Sequence, residues 1–188
     1  MKLGLNIDLI NSEGGTALHT AAYQGHREVV SYLIRKGASL TIKDSEGSLP
    51  VHKAAFQGHE ETLSTLLRKG GNINSTDSRG STPLHKAAFS GTKSCVALLL
   101  ASGADPNAMD EDGLTPLHDS CYSGAVECCK LLLEHNAKLD QGDIREASPL
   151  HVATYNGHVP CVELLLAKGA KLEIVDKLGV CNWVRCIN

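Results

Sequence analysis

Histidine recurs at a fixed interval along this chain: His19, His52, His85, His118 and His151 are each 33 residues apart. Three further columns keep the same period. One is Gly25, Gly58, Gly91, Gly124 and Gly157. The second is the apolar pair Leu33-Ile34, Leu66-Leu67, Leu99-Leu100, Leu132-Leu133 and Leu165-Leu166. The third is Asp44, Asp77, Asp110, Asp143 and Asp176, with Asn11 in the same register. Columns that agree on one period describe an array of like units. A unit this short cannot bury its apolar face alone and must stack on its neighbours. The period divides the chain into five full repeats, 11–43, 44–76, 77–109, 110–142 and 143–175. A partial repeat over 1–10 precedes them, and a sixth begins at 176 and diverges over 176–188.

The third repeat shows how a unit is built. Thr82 offers an N-cap hydroxyl, and Pro83 stands where a helix tolerates a missing N–H. Leu84, Ala87 and Ala88 give a short helix with a small-residue face, and Gly91 stops it. Val96, Leu99 and Leu100 follow at helical spacing on a second helix that Gly103 ends. Residues 104–113 are rich in Asp, Asn, Pro and Gly and form a turn back to the next unit.

Residues Asp77 to Ala88 match the pattern Asp-x-x-Gly-x-Thr-Pro-Leu-His-x-Ala-Ala at every fixed position. Asp110 to Cys121 match it as far as His118, then place Ser120-Cys121 where alanines stand. On these motifs the chain resembles the ankyrin-repeat family over residues 4–179. The resemblance implies an all-α solenoid of stacked helix-turn-helix pairs with β-hairpin-like finger loops, used for protein binding. It implies that the column histidines tie neighbouring repeats together near the finger and inner helix, and that the end of the inner helix lines a concave groove. It also places Asn74 and Asn107 where ankyrin repeats are often modified, which makes the chain a candidate substrate of an asparaginyl hydroxylase.

Composition narrows the function classes. The 188 residues are 42 % hydrophobic with a net charge of −3, too apolar and too weakly charged for a disordered chain. That charge also argues against gripping nucleic-acid phosphates. No apolar stretch approaches the roughly 18 residues of a membrane span, and Asn6 and Asp8 interrupt any signal-peptide core. Seven cysteines, an odd number, point to reduced thiols in the cytoplasm or nucleus. The broken repeats at both ends lead to the expectation of a fragment or truncated form of a longer protein, whether an enzyme, a channel or a ubiquitin-ligase adaptor that this segment regulates or targets.

Neither metal nor catalytic chemistry is expected. Stacked helices lie about 8–10 Å apart, so two members of one histidine column cannot share a zinc ion, whose ligands sit about 2.0–2.3 Å away. Cys95, Cys128 and Cys161 share a register and are read as small buried apolar residues, too far apart to pair. Cys181 and Cys186 form a lone Cys-x4-Cys pair. Glu60-Glu61 and Asp110-Glu111-Asp112 read as solvated faces, and no phosphate-cradling loop follows a strand. The expectation is a non-catalytic scaffold without catalytic, cofactor-binding or metal-ligating residues.

The candidate site comes from what varies on the repeated frame. Five of the seven aromatics, Tyr23, Phe56, Phe89, Tyr122 and Tyr155, stand two residues before the column glycine. They are expected to form a ladder of about 10 Å per step along the groove, as binding anchors, as packing groups, or as both. Finger tips carry Glu46, Arg79, Glu111, Asp112 and Arg145, and Leu114 follows the finger glycine of the fourth repeat. In that repeat seven carboxylates outnumber two lysines, and Asp119 replaces the Lys53 and Lys86 of its column. The expected partner is a protein segment of basic or mixed charge, met by these twelve residues. Three departures mark weak points: Glu146 in place of a finger glycine, Asn136 in place of a helix-end glycine, and Leu49 in place of a capping threonine. The fifth repeat is expected to fray first.

Overall fold

The structure, a computed structural model, describes residues 6–172 and Lys177. Five seven-residue inner helices, α1 (Ala17–Tyr23), α3 (Pro50–Phe56), α5 (Pro83–Phe89), α7 (Pro116–Tyr122) and α9 (Pro149–Tyr155), alternate with five of nine residues. The outer helices are α2 (Arg27–Arg35), α4 (Glu60–Arg68), α6 (Lys93–Ala101), α8 (Val126–Glu134) and α10 (Val159–Ala167). Each inner helix packs on its own outer helix and on the inner helices of its neighbours, and outer helices stack likewise. The result is the all-α solenoid of helix pairs that the repeat demands. Among the described residues the one antiparallel pairing outside the helices is an isolated bridge between Ile10 and Thr16, so the fingers are tight turns rather than extended hairpins.

The core is a row of small interfaces. Leu18, Leu63, Leu66, Leu84, Leu99, Leu117, Leu132, Leu150 and Leu165 are fully buried, with Ala22, Ala54, Ala55, Ala87 and Ala88 between them. Each buried leucine contributes roughly 1.5–3 kcal/mol, and the alanines let inner helices approach closely. The five column aromatics stay outside this core.

Each inner helix is started and tied by its histidine. The backbone N–H of Thr16, Leu49, Thr82, Thr115 and Ser148 donates to Nδ1 of the histidine three residues on, at 3.0–3.1 Å. A backbone N–H has no lone pair to offer, so Nδ1 is bare and the proton sits on Nε2. Nε2–H then donates across the repeat boundary, from His19 to Ser48 O, His85 to Leu114 O and His118 to Ala147 O, at 3.0–3.1 Å. His52 donates instead to Ser75 O at 3.0 Å. The tying role implied by the family resemblance is thereby present at these four positions. Burial lowers the pKa of His19, His85 and His118, and that of His52 to about 4.

The weak points behave as their chemistry requires. Glu146 adopts φ 64 and Asn136 φ 65, both left-handed. Asn tolerates that region, whereas Glu bears the Cβ clash. Leu49 has no side-chain acceptor for the start of α3, and the His52 N–H bonds its carbonyl oxygen at 2.9 Å. The glycines that end inner helices combine φ near 70° with close approach. A Cβ on Gly25 would lie 2.5 Å from the His59 ring, and one on Gly124 2.6 Å from that of His158.

Cys95, Cys128 and Cys161 are buried as expected, but the thiol that gathers the others is Cys129, which stands outside their register. Its Sγ lies 3.8 Å from Cys121, 3.9 Å from Cys161 and 3.1 Å from Ser120 Oγ. The Ser120-Cys121 departure from the alanine pattern thus packs against an equally unusual outer-helix residue. Burial pushes the Cys95 and Cys128 thiols up to about 11. Cys181 and Cys186 lie outside the described residues.

Glu146→Gly is expected to raise unfolding free energy by about 0.5–1 kcal/mol in urea titrations, since relief of a left-handed Cβ (~1–2 kcal/mol) exceeds the entropy glycine adds to the unfolded chain. The histidine column has the opposite consequence in acid. The unfolded chain binds protons below its ordinary value of 6.5 while the buried rings do not, so stability drains as pH falls from there toward 4. His52 accounts for on the order of 3 kcal/mol of that loss, and His52→Gln should flatten the slope of stability against pH.

Candidate functional site

The fingers are built by one carboxylate each. Asp44 Oδ1 accepts the N–H groups of Glu46 and Ser48, both at 2.9 Å, and Asp77, Asp110 and Asp143 repeat the pattern at 2.8–3.0 Å. Asn11 does the same with Glu13 and Gly15. Two N–H groups held by a short side chain fix the turn. Successive tips are joined by backbone bonds: Ser45 N–H to Glu13 O, Ser78 to Glu46 O, Glu111 to Arg79 O, Ile144 to Asp112 O and Lys177 to Arg145 O, at 2.9–3.0 Å. The tips therefore form a continuous edge along one side of the solenoid.

Lysines brace this edge against the inner helices. Lys53 on α3 pairs with Asp44 at 2.8 Å and Glu46 at 2.7 Å, and Lys86 on α5 pairs with Asp77 at 2.6 Å. Asp44 and Asp77 are held below the usual carboxylate range, where burial, which alone would raise them, is overcome by the lysines and the finger N–H groups. At the same place on α7 stands Asp119. Among the described residues its carboxylate makes no hydrogen bond or ion pair, and Asp110 pairs with no cation. The Asp119 carboxyl is half-buried in the wall of the groove, and burial, then the Asp110 charge, push it up to about 8 against an opposing pull from Lys86.

Opposite the tips lies the aromatic ladder. Phe56 and Phe89 stack with centroids 6.5 Å apart and planes 18° from parallel, and Phe89 and Tyr122 with centroids 5.6 Å apart at 16°. These steps are much shorter than the expected 10 Å, because the rings stack on one another. All three remain at least 38 % exposed, with Tyr23 and Tyr155 exposed at either end. Packing and exposure coexist in the same rings. The outer helices hold the ladder from behind: His59 Nε2–H donates to Tyr23 O and His158 Nε2–H to Tyr122 O, both at 2.9 Å.

Two hollows open between ladder and tips. One, of about 590 Å³, is lined by Tyr23, Glu46, Lys53, Phe56, Asp77 and Arg79 among others. The second, of about 460 Å³, brings together Arg79, Phe89, Asp110, Asp112, Leu114, Asp119 and Tyr122, with Phe56 and Lys86 at its border with the first. Nine of the twelve residues singled out in the sequence thus line one or both hollows. Glu111, Arg145 and Tyr155 are exposed but line neither. Asp110 and Lys86 were not singled out as groove residues. Their signal was the register itself, which pairs the finger Asp with whatever stands one residue after the column histidine. Asp110 and Asp119 are also set apart from the solvated acidic face expected of the fourth repeat, while Glu111 and Asp112 conform to it.

Asn74 and Asn107 sit just before the next repeat's turn. Asn107 Oδ1 accepts from Lys138 N–H at 2.8 Å and its amide donates to Asn136 O at 3.1 Å, while Asn74 Oδ1 accepts from Asp105 N–H at 3.3 Å. Among the described residues no group of three or more His, Cys, Asp or Glu side chains is placed to hold a metal ion, and no helix is long and apolar enough to cross a membrane.

Stacked helix pairs with Asp-capped fingers and a histidine tie define a repeat protein of the solenoid class. The chain belongs to the ankyrin-repeat family: the family described as "Ankyrin repeats (3 copies)" matches residues 1–77, 38–110 and 84–176. Among curated proteins it is similar to the Notch-regulated ankyrin repeat-containing protein of Xenopus tropicalis, 53 % identical over 36 residues, which is 19 % of this chain and 32 % of that protein. The human protein of the same name is 50 % identical over a stretch of the same length and coverage. The match spans about a third of these relatives and amounts to little more than one repeat.

Asp119→Asn is expected to stabilise the protein increasingly as pH rises. The folded carboxyl keeps its proton between about 4 and 8 while the unfolded one has lost it, so the wild-type chain loses stability on going up through that window. Thermal midpoints of the two chains at pH 5 and pH 8 should diverge accordingly.

Proposed function

We propose that the protein is a non-catalytic scaffold that captures a segment of a partner protein in the groove between its finger tips and inner helices. Ankyrin repeats are in general protein-interaction modules, and this chain is built of them. Binding in the groove is supported by the ladder of Phe56, Phe89 and Tyr122. Three rings are stacked on one another and still exposed, beside a row of charged tips. Rigid, half-exposed rings in a concave surface give up little entropy on binding and supply large apolar contact. Arg79 and Asp112 at the tips, facing Asp119 on the inner-helix wall, favour a segment of basic or mixed charge.

Two further properties belong to the same proposal. The five buried thiols suit a compartment that keeps cysteine reduced, the cytoplasm or nucleus. Asn107, whose amide is bound to the next repeat, and Asn74 are the positions where an asparaginyl hydroxylase would act. One added oxygen in the intact mass after exposure to such an enzyme is the readout.

The groove is tested with peptides selected from a random display library on the wild-type chain. Tyr122→Ala is expected to weaken their binding at least tenfold. Losing one exposed stack should lower the thermal midpoint by only a few degrees, about 1 kcal/mol of stability. Binding unchanged in Tyr122→Ala would place the interaction elsewhere.

A further inference from the structure

One position in the groove is occupied by a lysine in two repeats and by a carboxylate in the third that follows. Lys53 and Lys86 each stand one residue after the column histidine and reach the finger aspartate of their own repeat, with Nζ 2.6–2.8 Å from its Oδ2. The ammonium there is largely covered, since the side chains of Lys53 and Lys86 are 21 % and 25 % exposed and those of Asp44 and Asp77 6 % and 3 %. The frame of this solenoid is therefore built to hold a primary ammonium against the finger carboxylate. In the fourth repeat the finger keeps its form, with Asp110 Oδ1 taking the Asp112 and Leu114 N–H groups. The cation is missing, and Asp119 adds a second carboxylate where its ammonium would have come from.

The groups around this pair do not supply the missing charge. From α5, Lys86 is committed to Asp77 at 2.6 Å, and His85 donates its Nε2–H to Leu114 O and is neutral. On α7 itself His118 is likewise neutral and turned toward Ala147 O. From α9 the residue in the same column is Val152, which brings no charge. Arg79 and Asp112, at the tips, are exposed at the mouth of the hollow. Phe89 and Tyr122 flank the pair, one turn along their helices from the positions of Lys86 and Asp119, and form an apolar wall. An ammonium on a four-carbon stem fits such a place, its methylenes against the rings and its charge at the carboxylates.

We propose that Asp110 and Asp119 form a socket for one lysine side chain of the bound partner segment, which takes in trans the place that Lys53 and Lys86 hold in the preceding repeats. This rests on the groove reading above and names what the groove selects. The exposed rings give contact to many segments. The socket asks for one lysine at a fixed distance from the residue that lies on Phe89 and Tyr122. Because an incoming ammonium favours the ionised pair, capture releases a proton and tightens as pH rises from about 6 to 8.

The test uses two display libraries of eleven-residue peptides, random except for a central lysine in one and a central glutamine in the other, selected side by side on the wild-type chain. The lysine library is expected to yield binders whose affinity falls about tenfold when that lysine is changed to glutamine. The same change should cost almost nothing on Asp119→Asn, so that the two substitutions are coupled. Asp119→Lys should fill the socket from within, raise the thermal midpoint as an internal Lys–Asp110 pair forms, and lose the lysine binders. If lysine and glutamine peptides bind alike, lose affinity in Tyr122→Ala and ignore Asp119→Asn, the socket is overturned and the groove reading stands. If neither library yields a Tyr122-dependent binder, the groove reading fails and the socket with it.

Discussion

A neutral imidazole in one tautomer is the joint on which this molecule depends. With Nδ1 taking the first N–H of an inner helix and Nε2–H reaching a carbonyl of the next finger, a single side chain starts one element and positions another 29 residues away. The Nδ1 bond would be lost if the ring gained a second proton, because two donors would then face each other there, while the Nε2–H bond would remain. The finger carboxylates complete the joint by fixing the turn whose carbonyl the imidazole grips. Everything that varies along the groove is displayed from this repeated bracket.

Much of this is legible in the amino-acid sequence. Period, helix pairs, small-residue core and left-handed Glu146 all follow from local rules that each unit obeys alone. What the sequence left open concerns how units meet. Of the five rings expected in the ladder Phe56, Phe89 and Tyr122 stack, with a step shorter than expected, because helix spacing says nothing of how far side chains lean toward one another. Cys129 was passed over because register was the guide, and its contacts with Cys121 and Cys161 arise from leaving the register. The second histidine series, His59 and His158, answers to a carbonyl of the preceding repeat rather than to anything in its own.

The fourth repeat departs most from its neighbours, and its departures share a location. Asp119 in the groove, Ser120-Cys121 on the buried side of α7 and Cys129 behind it change three consecutive layers, while the frame around them is preserved. In a solenoid each unit touches only the units beside it, so such a change is contained and the remaining repeats keep their geometry. That containment is what lets one repeat carry a distinct surface charge without disturbing the stack.

The stacked rings also have a mechanical meaning. Helices in neighbouring repeats are separated by about 8–10 Å, whereas the rings on their inner ends are 5.6 and 6.5 Å apart. The rings lean toward one another and close the gap between neighbouring repeats. Separating neighbouring repeats would part the rings and wet their faces, so the ladder acts as a row of weak clasps between repeats. Because Phe56, Phe89 and Tyr122 come from three successive repeats, the clasps couple those repeats on the face opposite their outer helices.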